Sequence, residues 1–131
     1  VIASGSSSTS TKGTHHIMNS PTRTTIEHHG SLTIMRFEGD LLSTSEDAVL
    51  GRYRTLPVET AALLLDFSRV PYLNSSGIAL IIQLLIAATS VPRRVLCFGL
   101  TAHFEKVFRM LGLARYTTLH ADELAARAAI D

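Results

Sequence analysis

The sequence reads as an α/β domain, a mixed β-sheet that is mostly parallel with an antiparallel hairpin at its N-terminal end, packed with about four α-helices. Three observations lead there. Apolar runs of strand length recur at residues 61–66 and 94–99. Stretches with apolar residues at helical spacing separate them. The first two strand candidates are joined only by His29-Gly30-Ser31, a turn that allows a hairpin but no crossover. Strands alternating with helices imply right-handed crossovers, hence parallel neighbours after that hairpin.

Taken in order, residues 24–28 and 32–37 are the two hairpin strands. Residues 43–46 have capping-box spacing and open a first helix that runs to about Tyr53. Residues 61–66 form the third strand, 75–89 the second helix, and 94–99 the fourth strand. Residues 102–111 form the third helix, stopped by Gly112. A fifth strand at 116–119 and a last helix at 121–130 complete the set. On the third helix Phe104, Val107, Phe108 and Leu111 recur at helical spacing and are assigned to the core, with His103, Lys106, Arg109 and Met110 outside.

The richest stretch is 63–77, LLLDFSRVPYLNSSG. An apolar strand ends at Asp66, whose carboxylate is placed to accept hydrogen bonds from the turn that follows. Pro71 fixes its own φ and biases Val70 toward extended geometry, and Tyr72 and Leu73 are set to anchor the loop. Asn74, Ser75 and Ser76 then offer three capping side chains ahead of an apolar helical run. The first helical turn has unpaired N–H groups and the positive end of the dipole, so a phosphate on the first serine would meet donors. On a 100° wheel, Ile78, Ile81, Ile82, Leu85 and Ala88 face the sheet. The opposite face, centred on Gln83, holds Ala79, Leu80, Ile86 and Ala87. Such an apolar outer face, starting one turn after Ser75, is a candidate partner surface. Self-association into a homodimer is a competing use of it.

These blocks resemble the STAS domain of the anti-sigma-factor-antagonist type. The signature match is carried by Leu65, Asp66, Phe67, Ser68, Val70, Tyr72, Leu73, Ser75, Ser76, Gly77 and Ile78. Glu38-Gly39-Asp40-Leu41 resembles the family's E-G-x-L turn, and Phe108-Arg109-Met110-Leu111-Gly112-Leu113 its late helix ending in a Gly-Leu step. One position departs: Asn74 stands where the family usually has Asp. The resemblance implies a STAS-like fold over residues 24–131. It also implies a regulatory protein in a partner-switching pathway, which binds a switch-type serine kinase or anti-sigma factor and is controlled by phosphorylation of Ser75 and restored by a phosphatase. Asn74, Ser75, Ser76, Gly77, Ala79, Leu80 and Gln83 are then the expected partner-binding residues. A second implied role is a non-phosphorylated scaffold or an accessory subunit of a signalling or lipid-transport complex.

Composition narrows the alternatives. The formal net charge is +1 and the arginines are scattered, so there is no basic field for direct nucleic-acid binding. Cys97 is the single cysteine and sits in an apolar run, which suits a core residue in a reducing, cytoplasmic compartment. The apolar stretch 78–88 is interrupted by Gln83 and is too short for membrane insertion. Neither a phosphate loop nor a dinucleotide fingerprint occurs, and Ser75 lies in no G-x-S-x-G elbow, so the expectation is a non-enzyme without metal or cofactor. A receiver-type reading of Asp66 lacks its partners, because His28-His29 stands where an acidic pair would be. Residues 1–23 differ from the rest. Serine and threonine dominate 4–10, and His15-His16-Ile17-Met18 reads as vector-derived sequence or a disordered native tail.

Overall fold

In the computed structural model, which describes residues 21–130, five strands form one sheet in the order β1-β2-β3-β4-β5. They are β1 (Arg23–His29), β2 (Leu32–Glu38), β3 (Ala62–Arg69), β4 (Arg94–Phe98) and β5 (Thr118–His120). The expectation for the N-terminal tail lies outside the described residues apart from 21–23. β1 pairs antiparallel with β2, and the remaining pairings are all parallel, as the sequence predicts. Gly30, at φ 66°, turns the hairpin in the left-handed region where glycine carries no steric cost.

Two helices, α1 (Ser75–Thr89) and α2 (Ala102–Met110), cover one face of the sheet. Met35, Phe37, Leu63, Leu65, Phe67, Val95 and Cys97 meet Ile81, Leu84, Leu85, Phe104 and Phe108 in the main core. Phe67 sits at its centre, 5.4 Å from the Phe37 ring and 5.8 Å from that of Phe108, the latter edge-on, a favoured aromatic geometry. Burial raises the Cys97 thiol to about 12, so it stays a neutral core side chain. The alternate residues Ile34, Leu64, Leu96 and Phe98 point to the opposite face, where the short α3 (Glu123–Ala128) presses Ala126 onto them. Period-two alternation therefore splits β2, β3 and β4 between two cores of unequal size.

Four expectations need correcting. The first helix is wound irregularly: Ser43–Ser45 is a 3₁₀ turn and Asp47–Gly51 a π-type segment. Its entry hydrogen bond runs from the Leu42 N–H to the Ser45 hydroxyl at 2.9 Å, not through a box of Ser43 and Glu46. Leu111 is 51% exposed, because α2 ends at Met110 and the chain turns away. Leu80, expected on the outer face of α1, is buried. The irregular segment supplies Val49 and Leu50 to the same core and packs along α1 as a second neighbour that a helical wheel does not contain. The buried arc consequently includes Gly77, Leu80 and Leu84, while Ile78 and Ile82 are only partly buried.

Candidate functional site

The site is the loop from β3 into α1, and the turn 38–41 holds it in place. Gly39 N–H donates to the Arg69 carbonyl and Leu41 N–H to that of Tyr72, both at 3.0 Å. The Leu41 carbonyl accepts from Asn74 N–H at 3.2 Å, and Leu41 and Leu73 form a parallel bridge. The chain leaving β2 thus acts as a short extra strand beside the loop. Val70 and Leu73 are buried beneath it. Tyr72 is 42% exposed and anchors by its ring edge, 6.3 Å from Phe104.

Asn74 is the N-cap of α1, with extended backbone. Its side-chain oxygen accepts from Gly77 N–H at 2.8 Å, and its carbonyl accepts from Ile78 N–H at 2.9 Å. The carboxamide therefore does the capping that an aspartate would do, without the charge. Asn74→Ala is expected to lower folding stability by about 1 kcal/mol, while Asn74→Asp retains the cap; urea denaturation of the two variants checks this. Ser75 and Ser76 follow in the first turn. Ser75 is exposed and Ser76 half-buried, so Ser75 is the hydroxyl open to solvent at the positive end of a 15-residue helix.

The expected binding residues divide into two groups. Ser75, Ala79 and Gln83 are exposed along one side of α1, continued by Ile86 and Ala87. Gly77 and Leu80 point inward and belong to the fold. At Gly77 an added Cβ would lie 2.5 Å from the Leu41 carbonyl carbon and nearer still to its oxygen. Leu80→Asp would accordingly disrupt the core, so an outer-face probe has to use Gln83 or Ile86.

The start of the same loop is fixed by charges on the opposite face of the sheet. Asp66 Oδ1 accepts from Ser68 N–H at 2.8 Å and from the Ser68 hydroxyl at 2.6 Å, the turn-capping role expected of it. Its other oxygen accepts from Arg36 at 2.9 Å. Arg36 also donates to Glu123 at 2.9 Å and twice to Glu27, tying β1, β2, β3 and α3 together. The Arg36 hydrogen bond is the largest influence on both glutamates, holding Glu27 down at about 2 and lowering Glu123. This cluster was not anticipated. A signal existed in the arginine that interrupts the apolar run of β2, which lies opposite Asp66 in the parallel register. Among the described residues no group of three or more metal-ligating side chains is placed to hold an ion, and no helix is long and apolar enough to cross a membrane.

Comparison with known proteins gives the family and the fold. The family model described as "Mlab, STAS domain" matches residues 24–121. The chain belongs to the STAS domain family. Its fold is that of SpoIIAA, the Bacillus cell fate determinant solved in its phosphorylated form: 18% identity over 81% of this chain and 98% of that one, with a TM-score of 0.63. The unphosphorylated anti-sigma factor antagonist SpoIIAA gives 17% identity, 82% and 94% coverage and a TM-score of 0.64. An anti-sigma factor antagonist from Mycobacterium paratuberculosis gives 19%, 82% and 92%, and 0.63. No curated protein matches the sequence. Within the STAS fold, the serine loop and the turn 38–41 that braces it are two of the three blocks by which the sequence resembled the family, the third being residues 108–113.

Proposed function

We propose that this STAS domain is an anti-sigma factor antagonist-like switch protein whose phosphorylation on Ser75 controls binding of a serine kinase or anti-sigma factor in the cytoplasm. The observation that carries the reading is the placement of Ser75: an exposed hydroxyl on the first residue of α1, followed along the helix by the exposed Ala79, Gln83 and Ile86. In the unmodified chain that strip offers a flat, uncharged contact. A phosphate adds about −1.5 to −2 charge at neutral pH. The helix N-terminus tolerates it, but an apolar partner contact does not, because the charge must be desolvated there. The chain is ligand and substrate in such a cycle, and a phosphatase resets it.

Mass spectrometry of protein from its native host tests the modification. Cleavage after Arg69 and Arg93 isolates the peptide with Ser75, which should carry one phosphate that disappears in Ser75→Ala. In a binding assay with the kinase captured by the unmodified chain, Ser75→Glu should weaken association at least about tenfold. Equal capture by the wild type and Ser75→Glu would sink the switch.

Two observations favour a second reading. Asn74 stands in place of the family's usual Asp, and the matching family model bears the Mlab description. Both fit a constitutive interface, in which the same strip binds a transport or signalling complex without phosphorylation. An absence of phosphate in growth and stress alike, with stoichiometric capture of a complex, would decide for it. Ile86 is half exposed on the same strip. Homodimerisation through it would be lost in Ile86→Asp, as read by sedimentation.

A further inference from the structure

The two faces of the sheet are unequally covered. α1, α2 and the 43–51 segment lie on one, while among the described residues the six-residue α3 is the helix on the other. Beside α3, at the carboxyl ends of β2, β3 and β4, this leaves a groove of about 620 Å³ that runs from Thr25 on β1 to Gly99 after β4. Crossing four strands makes it about 14 Å long, the length of about four extended residues.

Its charge is one-sided. Glu27, Glu38, Asp66, Asp122 and Glu123 line it against two guanidinium groups, those of Arg36 and Arg69. Arg36 already bonds three of the five carboxylates, Arg127 on α3 bonds Glu123 as well at 2.9 Å, and Arg69 lies 4.0 Å from Glu38 with most of its side chain in solvent, so five carboxylates meet three guanidinium groups. The walls therefore keep an excess of negative charge at neutral pH, and a concave surface backed by apolar strands concentrates the resulting field. Its apolar floor is formed by Phe98, whose side chain belongs to this face of the sheet, and by the exposed Ala121 beside it. Glu38 and Asp122 stand exposed at the rim, where a cation would meet them first.

We propose that this groove docks a short segment of a partner protein that carries lysine or arginine beside an aliphatic residue. The cation is held by the rim carboxylates and the aliphatic stem lies over the floor. The groove is on the opposite face of the sheet from α1, so the proposal is independent of the Ser75 reading and stands or falls without it. Both surfaces can be engaged at once, which would make the domain a two-sided adaptor.

Titration of the full 131-residue chain with the peptide Lys-Leu-Lys-Leu-Lys, followed by amide shifts in NMR spectra, tests it. The expected result is saturable shifts at Thr25, Glu38, Gly99 and Asp122, none from Glu-Leu-Glu-Leu-Glu, and at least about tenfold weaker binding by Thr25→Arg. Thr25 is exposed, so that change puts a cation in the groove without removing a buried contact, and an unchanged melting temperature confirms the fold. No saturable shift up to about 1 mM peptide, shifts spread over the whole surface, or equal binding by Thr25→Arg would each overturn the proposal. So would a groove already filled: by a second copy, seen as a dimer that Thr25→Arg dissociates, or by residues 1–20, seen as shifts of the same amides when those residues are removed.

Discussion

Gly77→Ala is expected to destabilise the domain by about 3 kcal/mol or more, although it exchanges one small helical residue for a better helix former. Propensity alone would make the change favourable by about 1 kcal/mol. Packing decides against it. The added methyl would be driven into the Leu41 carbonyl, with its carbon at 2.5 Å, and that carbonyl is backbone already engaged by Asn74 N–H. Neither side can yield alone: α1 would have to lift from the turn 38–41, breaking the Asn74 and Leu41 hydrogen bonds that hold the serine loop. Thermal and urea denaturation measure the loss, with Ser76→Ala as a neighbour that should change stability little. A Gly77→Ala protein as stable as the wild type would mean that α1 does not approach Leu41 this closely. Gly77 is thus a fold residue beside the candidate phosphoacceptor, and its replacement would abolish partner binding for a reason unrelated to contact with the partner.

The second large effect is expected at Arg36. Arg36→Met keeps the length and packing of the side chain but leaves Glu27, Asp66 and Glu123 facing one another. Asp66 is the costliest of the three, with only 8% of its side chain accessible. Removing one partner of a fully buried ion pair costs about 3–5 kcal/mol. Arg36 retains 28% side-chain exposure, and water screens part of the repulsion, so about 2 kcal/mol is the expected loss at neutral pH. The pH dependence distinguishes this charge effect from simple loss of packing. Glu27 and Glu123 are both held below their ordinary pKa in the folded protein, Glu27 at about 2. Their stabilising contribution is therefore fully present above the unfolded carboxylate value of about 4.3 and is lost as pH falls through that value toward about 2. In Arg36→Met the largest share of that contribution, the part owed to Arg36, is gone at every pH, while Arg127 still bonds Glu123 and His29 still bonds Glu27. The stability gap between the two proteins should hold from neutrality to about pH 5 and then narrow toward pH 2. A gap of constant size across that range would assign the loss to packing instead.

Particular residues show how far the sequence carried. The hairpin was legible because His29-Gly30-Ser31 is too short for anything else. The parallel order followed from alternation of strand-length and helix-length apolar runs. The serine loop was legible because its turn chemistry is local: Pro71, Asn74 and the two serines act on their immediate neighbours. Asp66 was legible for the same reason, as its partner Ser68 is two residues away. Leu80 was misplaced because a helical wheel ranks faces by hydrophobicity and cannot say how many neighbours a helix has. Here Val49 and Leu50 arrive from a segment 30 residues earlier and widen the buried arc. Glu123 joins Arg36 across 87 residues, a pairing that no local pattern encodes.

What the sequence determined by itself was whatever depends on short-range chemistry: most of the element types, the sheet's mixed character and the run of capping side chains at 74–76 ahead of α1. What only the tertiary structure decided was which groups meet across the sheet. It turned Gly77 and Leu80 inward, gathered one arginine and three carboxylates on the less covered face, and left a groove beside them. Backbone preferences and caps act over a few residues, whereas packing and ion pairing are set by the three-dimensional distance between groups that the chain keeps far apart.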